Sequence, residues 1–208
     1  MFAVGTQPGA LFQCSLSSDR PVDRRYVGSE SNVALHNPTV LALQPHRGPV
    51  FGLSASPFQP SLVASCGADG SICLYNLVSV EPLRRLEPPP SDGYLLCLAW
   101  SPVRPLVLAC GTQSGRLLVY DLARSTAEPV CIGDSTRGAV APKSSVDNDS
   151  NVMILSTAFC QRTPTLLATG DSNGVINVWC LGEEFDSQLP DEETRLRDLT
   201  RNAIAKQD

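Results

Sequence analysis

Short apolar runs, broken by Gly- and Pro-bearing polar turns, recur along most of this chain, and their order repeats. Four stretches follow one fifteen-residue pattern: Phe2–Leu16, Val63–Leu77, Leu108–Leu122 and Leu167–Leu181. Each is an apolar run, a turn closed by Gly9, Gly70, Gly115 or Gly174, and a second apolar run. That second run ends in Cys14, Tyr75, Tyr120 or Trp179, then a variable residue and Leu. Runs this short, bounded by turn residues, predict strands joined as hairpins. Gly just before the second strand tolerates the positive φ that a tight connection needs. In the second copy Ile72, Leu74 and Asn76 face one way and Cys73, Tyr75 and Leu77 the other. Both faces are largely apolar, so these strands are expected to be covered on both sides.

The flanks repeat as well. Val50–Pro57, Tyr94–Pro102 and Val152–Cys160 each predict a strand ending in a polar turn that leads into the Gly hairpin. Glu81–Leu86 predicts a fourth strand after the hairpin. Four short antiparallel strands per unit, used repeatedly, make propeller blades. The expected fold is all-β: a partial β-propeller of about three and a half four-stranded blades, followed by a short carboxy-terminal helix. Blade units fall at about 1–44, 45–90, 91–132 and 150–182, making 1–182 the propeller. Segment 17–45 is expected to hold a last strand plus a long loop, and 123–151 a surface loop. Residues 183–208 read as an acidic linker and an amphipathic tail. A helix is expected over Thr194 to Lys206, with Leu196, Leu199, Ala203 and Ile204 on one face. Such a helix either docks a partner or is a frayed tail resting on the propeller or in solvent. The first unit lacks its leading strand, so the chain is expected to be the carboxy-terminal part of a longer protein or the reading of a shortened gene model.

With His46-Arg-Gly-Pro-Val50, the Ser56-Pro57 and Ser101-Pro102 turns, Tyr120-Asp121 and Trp179-Cys180, the chain resembles the WD40 family. That resemblance implies a buried polar tetrad of His46, Ser65, Asp69 and Tyr75 in blade 45–90. The next blade has Ser114 at the turn and no leading His, so it is expected to rely more on apolar packing. The run Trp100-Ser-Pro-Val-Arg-Pro-Leu-Val107, with Ser56-Pro-Phe58 and Gly67-Ala-Asp-Gly70, resembles the propeller of dynein intermediate chains, most of all their cytoplasmic dynein 2 branch. The likeness spans residues 1–182. It implies a non-catalytic scaffold in the cytoplasm, cytoskeleton and cilium, at axoneme and basal body, supporting retrograde intraflagellar transport and cilium assembly. Implied partners are a dynein heavy chain and other dynein 2 subunits, with light chains held by a region outside these residues. The alternative is a WD40 platform in another complex, such as a ubiquitin-ligase receptor or an axonemal dynein.

Composition narrows the classes. The 208 residues are 42% apolar and 18% charged, with net charge −5, which argues against a nucleic-acid partner. No apolar run approaches the roughly 18 residues of a membrane span, so no membrane partner is expected, and Met1–Gly5 does not read as a signal peptide. Eight cysteines contain no Cys-x-x-Cys pair and read as buried thiols, and only His36 and His46 join them as metal-ligand candidates. Metal and cofactor are therefore not expected. Gly52-Leu-Ser-Ala-Ser56 lacks the second Gly of a nucleophile elbow, and no phosphate loop occurs. His46 beside Asp69 reads as a structural lock rather than an acid–base pair, so no enzyme activity is expected. The WD40 resemblance implies partner binding on the rim of the Gly turns, at Arg47, Ala68, Thr112, Gln113, Asp171 and Ser172. The opposite rim is expected to present Phe58, Gln59, Arg104 and Arg162.

Overall fold

The computed structural model describes residues 1–22, 35–125, 128–134 and 152–204. Among them the chain forms four antiparallel sheets. The first holds β1 (Phe2–Gly5), β2 (Leu11–Cys14) and β3 (Thr39–Leu43). The second holds β4 (Val50–Ala55), β5 (Leu62–Gly67), β6 (Ile72–Asn76) and β7 (Pro82–Leu86). The third holds β8 (Leu95–Trp100), β9 (Val107–Thr112), β10 (Arg116–Asp121) and β11 (Cys131–Asp134). The last holds β12 (Ile154–Phe159), β13 (Leu166–Asp171) and β14 (Ile176–Cys180). Strands lie in chain order in every sheet, which is the meander of a propeller blade. One helix, α1 (Glu192–Ile204), follows. The last strand expected within 17–45 is β3; residues 23–34 of that segment, most of 123–151 and the last residues of the expected helix lie outside the described residues.

The core is layered between sheets. One cluster joins the second sheet to the third through Leu62, Ile72, Leu74, Leu98, Trp100, Leu108 and Leu118. Another joins the third to the fourth through Val107, Leu117, Val119, Ile154 and Leu167. A third sits between the first and second sheets at Leu11, Leu43, Val63, Cys73 and Tyr75. Every residue of β5, β6 and β9 is buried, as strands packed on both faces should be. Each large apolar side chain so buried contributes about 1.5–3 kcal/mol.

The turn glycines serve two ends. Gly115 has φ +79 and Gly174 φ +80, so both hairpins need the left-handed region. At Gly115 a Cβ would also lie 2.4 Å from the carbonyl oxygen of Val152, where the next sheet begins; at Gly174 nothing lies within 4 Å. Gly174→Ala is thus expected to cost only the local strain, about 1 kcal/mol. Gly115→Ala is expected to cost about 2–4 kcal/mol, since the backbone must also shift. Urea unfolding of the two variants measures the difference.

Each lead strand carries a register shift near its start, between Val50 and Gly52, Leu95 and Cys97, and Ile154 and Ser156. These bulges set aside Phe51, Leu96 and Leu155 at one equivalent place in three sheets. Bulges of this kind re-aim a side chain at a rim. Phe51 is 46% exposed and Leu155 52%.

Candidate functional site

On the rim of the Gly turns, the second sheet is tied by a polar lock. His46 leads into β4, and its Nδ1 donates to Asp69 in the β5–β6 turn at 3.0 Å. Its Nε2 meets the Ser65 hydroxyl on β5 at 2.6 Å. Asp69 also accepts the Arg47 amide at 3.1 Å, the Ser71 hydroxyl at 2.8 Å and Arg85 Nη2 at 2.9 Å. Burial alone would raise the Asp69 carboxyl; the bonds from His46, Arg47 and Ser71 outweigh it and hold it well below the usual carboxylate range. Tyr75 stands apart from the other three polar groups: its hydroxyl donates to the Gln44 carbonyl at 2.8 Å. It fastens the loop before His46 rather than touching the imidazole. Burial pushes its phenol up, so it stays a neutral donor.

The third sheet was expected to rely more on apolar packing; apolar clusters do cover both its faces, but it also carries a polar lock of its own. Its acid sits in the leading segment and its cation on the hairpin, the reverse of the second sheet. Buried Asp92 accepts Arg116 Nη1 at 2.6 Å and the Ser114 hydroxyl at 3.3 Å. The sequence signal was Ser91-Asp92-Gly93, at the place where His46 leads the previous unit. The fourth sheet keeps another fragment of the lock, the Trp179 indole N–H donating to Thr169 Oγ1 at 2.8 Å. Thr169 occupies the slot that Ser65 fills in the second sheet.

The six rim candidates divide. Arg47 and Ser172 are exposed, and Ala68, Gln113 and Asp171 are half-buried. Gln113 Oε1 accepts the Tyr94 amide at 3.2 Å, and Asp171 Oδ1 accepts the amides of Asn173 and Val175 at 2.9 Å. Thr112 is fully buried, and its hydroxyl accepts the Arg116 amide at 2.9 Å, so it presents nothing to a partner. The turn position was legible; that the side chain points inward was not. An exposed aromatic pair had not been singled out: Phe51 and Tyr94, ring centroids 6.4 Å apart, stand on the same rim, where Tyr94 bonds the Gln113 turn.

The opposite rim differs most from expectation. Arg104 is not presented to solvent; it is completely buried. Its Nε donates to Glu192 at 2.8 Å, Nη2 to Asp121 at 2.9 Å and Nη1 to the Glu184 carbonyl at 2.7 Å, and its guanidinium lies 5.9 Å from the Phe185 ring centroid. Burial would lower the Arg104 pKa, but Glu192 and Asp121 raise it further, so the group stays charged. The cause is the tail. After Cys180 the chain turns back, buries Phe185 in the cluster between the third and fourth sheets, and lays α1 over the rim. Leu196 joins the main core cluster, with Leu199 and Phe58 packed against it. Gln59 donates to Thr200 Oγ1 at 3.1 Å. Arg162 alone of the four expected residues is exposed. The helix starts at Glu192, before the expected Thr194, because Glu192 is held by Arg104 and also accepts the Leu189 amide at 3.1 Å.

The run Trp100–Val107 thereby acquires a physical meaning. The Trp100 indole donates to the Pro105 carbonyl at 2.9 Å, and Ser101 Oγ accepts the Arg104 amide at 3.0 Å. Together they shape the turn that delivers Arg104 to the tail. Cys14, Cys66, Cys73 and Cys110 are buried, Cys97 and Cys160 partly, and Cys180 is exposed. Burial pushes the Cys97 thiol up to about 12. Among the described residues no group of three His, Cys, Asp or Glu side chains is placed to hold a metal, and no helix is long and apolar enough to cross a membrane.

Residues 37–76 match the WD domain, G-beta repeat family. Over 205 residues, 99% of its length, the chain is 34% identical to cytoplasmic dynein 2 intermediate chain 2 of Homo sapiens, of which it covers 35%. It is 25% identical over 179 residues to dynein axonemal intermediate chain 4 of Rattus norvegicus, covering 86% of this chain and 18% of that protein. It is 28% identical over 176 residues to the 70 kDa dynein intermediate chain of the flagellar outer arm of Chlamydomonas reinhardtii, covering 78% and 28%.

Proposed function

Since the chain carries a WD40 repeat domain and resembles a dynein 2 intermediate chain along nearly its whole length, we propose that it is the propeller part of a dynein intermediate chain. It acts as a non-catalytic scaffold that binds the dynein heavy chain in the cytoplasmic dynein 2 motor. It thereby supports retrograde intraflagellar transport and cilium assembly. The observation that carries this reading is the similarity over 99% of the chain, tail included.

The heavy chain is held on the Gly-turn rim. Phe51 and Tyr94 give that rim an exposed aromatic anchor; Arg47, Ala68, Gln113, Asp171 and Ser172 lie on the same side. Aromatic side chains beside Arg are the commonest source of binding energy at protein interfaces. The opposite rim of the second and third sheets is covered by the chain's own tail. Affinity isolation of the full-length natural protein from ciliated cells is expected to recover a dynein heavy chain. The double variant Phe51→Ala, Tyr94→Ala is expected to reduce that recovery about tenfold with unfolding temperature unchanged. Recovery of a cullin adaptor in place of a heavy chain would end the motor reading.

A further inference from the structure

Beneath the tail lies a groove that fits an amphipathic helix, and its present occupant seats one face in it and leaves clefts along its sides. The groove floor is buried Arg104, and Phe58 and Leu83 pack against the core cluster that takes Leu196. α1 engages it through Glu192, then Leu196 four residues on, Leu199 seven on and Thr200 eight on, one helical face. Elsewhere the seating is loose. A cleft of about 540 Å³, lined by Thr194, Arg197 and Arg201 of the helix and Gln59, Ser61 and Asn76 of the rim, runs along one side. A second, of about 240 Å³, opens between Glu193 and Arg197 and the Phe58–Gln59 turn.

Two features make the seat exchangeable. Arg104 has a second carboxylate, Asp121 at 2.9 Å, so its charge stays paired when Glu192 leaves. The tether is also exposed over most of Gly182–Asp191 and ends at Asp191 with φ 66, a conformation released when the helix lifts away. We propose that this groove is a docking site for an amphipathic helix of another protein that carries Glu in its first turn and Leu four and seven residues later. The chain's own tail closes the groove until such a helix displaces it. The charge of the seat selects the partner: a buried guanidinium accepts a helix that brings a carboxylate and rejects one that brings a cation. This surface is separate from the Gly-turn rim and stands whether or not the motor reading holds.

A synthetic peptide with the sequence of residues 187–204 supplies that chemistry. Added in excess to the intact chain, it is expected to speed hydrogen exchange of the chain's own amides 195–201 about tenfold, as the bound tail is displaced. A peptide with Gln in place of the glutamate corresponding to Glu192 is expected to leave them unchanged. The Glu192→Gln chain, its tail already loosened, is expected to bind the unaltered peptide about tenfold more tightly than the intact chain does. Unchanged tail protection at millimolar peptide, or equal binding by both chains, would overturn the proposal. So would dimerisation of the Glu192→Gln chain through exchanged tails without peptide binding, which would make a second copy the occupant.

Discussion

Arg104→Leu is expected to destabilise the chain by about 3–5 kcal/mol, the largest effect of any single change on the tail-covered rim. The substitution removes the cation shared by Asp121 and Glu192, both fully or almost fully buried, and leaves Asp121 only the more distant Arg124 at 3.6 Å. Two carboxylates then face each other out of water, and the Glu184 carbonyl loses its donor. For a chain of this size that corresponds to a fall of about 10 °C in unfolding temperature. Arg104→Lys is expected to recover little, because one ammonium cannot reach Glu192, Asp121 and the Glu184 carbonyl in the planar fork they require. Glu192→Gln is expected to be milder, since Arg104 keeps Asp121. Replacing all three charged residues with apolar ones of similar volume is expected to restore most of the lost stability, because desolvation of the ions then no longer opposes folding. Thermal unfolding of the four variants orders these effects.

Asp69→Ala is expected to cost about 2–4 kcal/mol. It strips His46 of its carboxylate, leaves Arg85 only Glu87, and leaves the Arg47 amide without its side-chain acceptor. The pH dependence follows from the direction of the shift. The folded carboxyl titrates below its ordinary value of 3.8. Its contribution is therefore complete above pH about 4 and is lost as pH falls toward the folded value. Asp69→Asn is expected to flatten this part of the acid limb of the stability curve, while stability near pH 7 drops. Urea titrations between pH 2.5 and 7 compare the two chains; an unchanged acid limb would show that Asp69 is not the group responsible.

The blades were legible because the Gly of each hairpin has a local reason to be there and recurs at a fixed place in the unit. The His46–Asp69 contact was legible only through the WD40 resemblance, since the other units of this chain have no leading His. Arg104 was not. Its partner Glu192 lies 88 residues away, and neither the Ser-Pro turn nor the acidic tail alone says that they meet. Reading an Arg next to a turn as solvent-facing is sound local reasoning, overridden here by the tail. Thr112 failed on a finer scale, since alternation around a turn does not say which side chain reaches inward to satisfy the Arg116 amide. Asp92 was missed because its charge order is reversed relative to the unit before it, so a search for a leading His finds nothing there.

An electron cryo-microscopy structure of the full-length natural protein bound to a dynein heavy chain tests the central claim most directly. The account predicts separate stacked sheets, with heavy-chain density against Phe51, Tyr94 and Arg47 on the Gly-turn rim. A heavy chain that leaves this rim bare, or one that makes no stable complex with the protein at all, would contradict it.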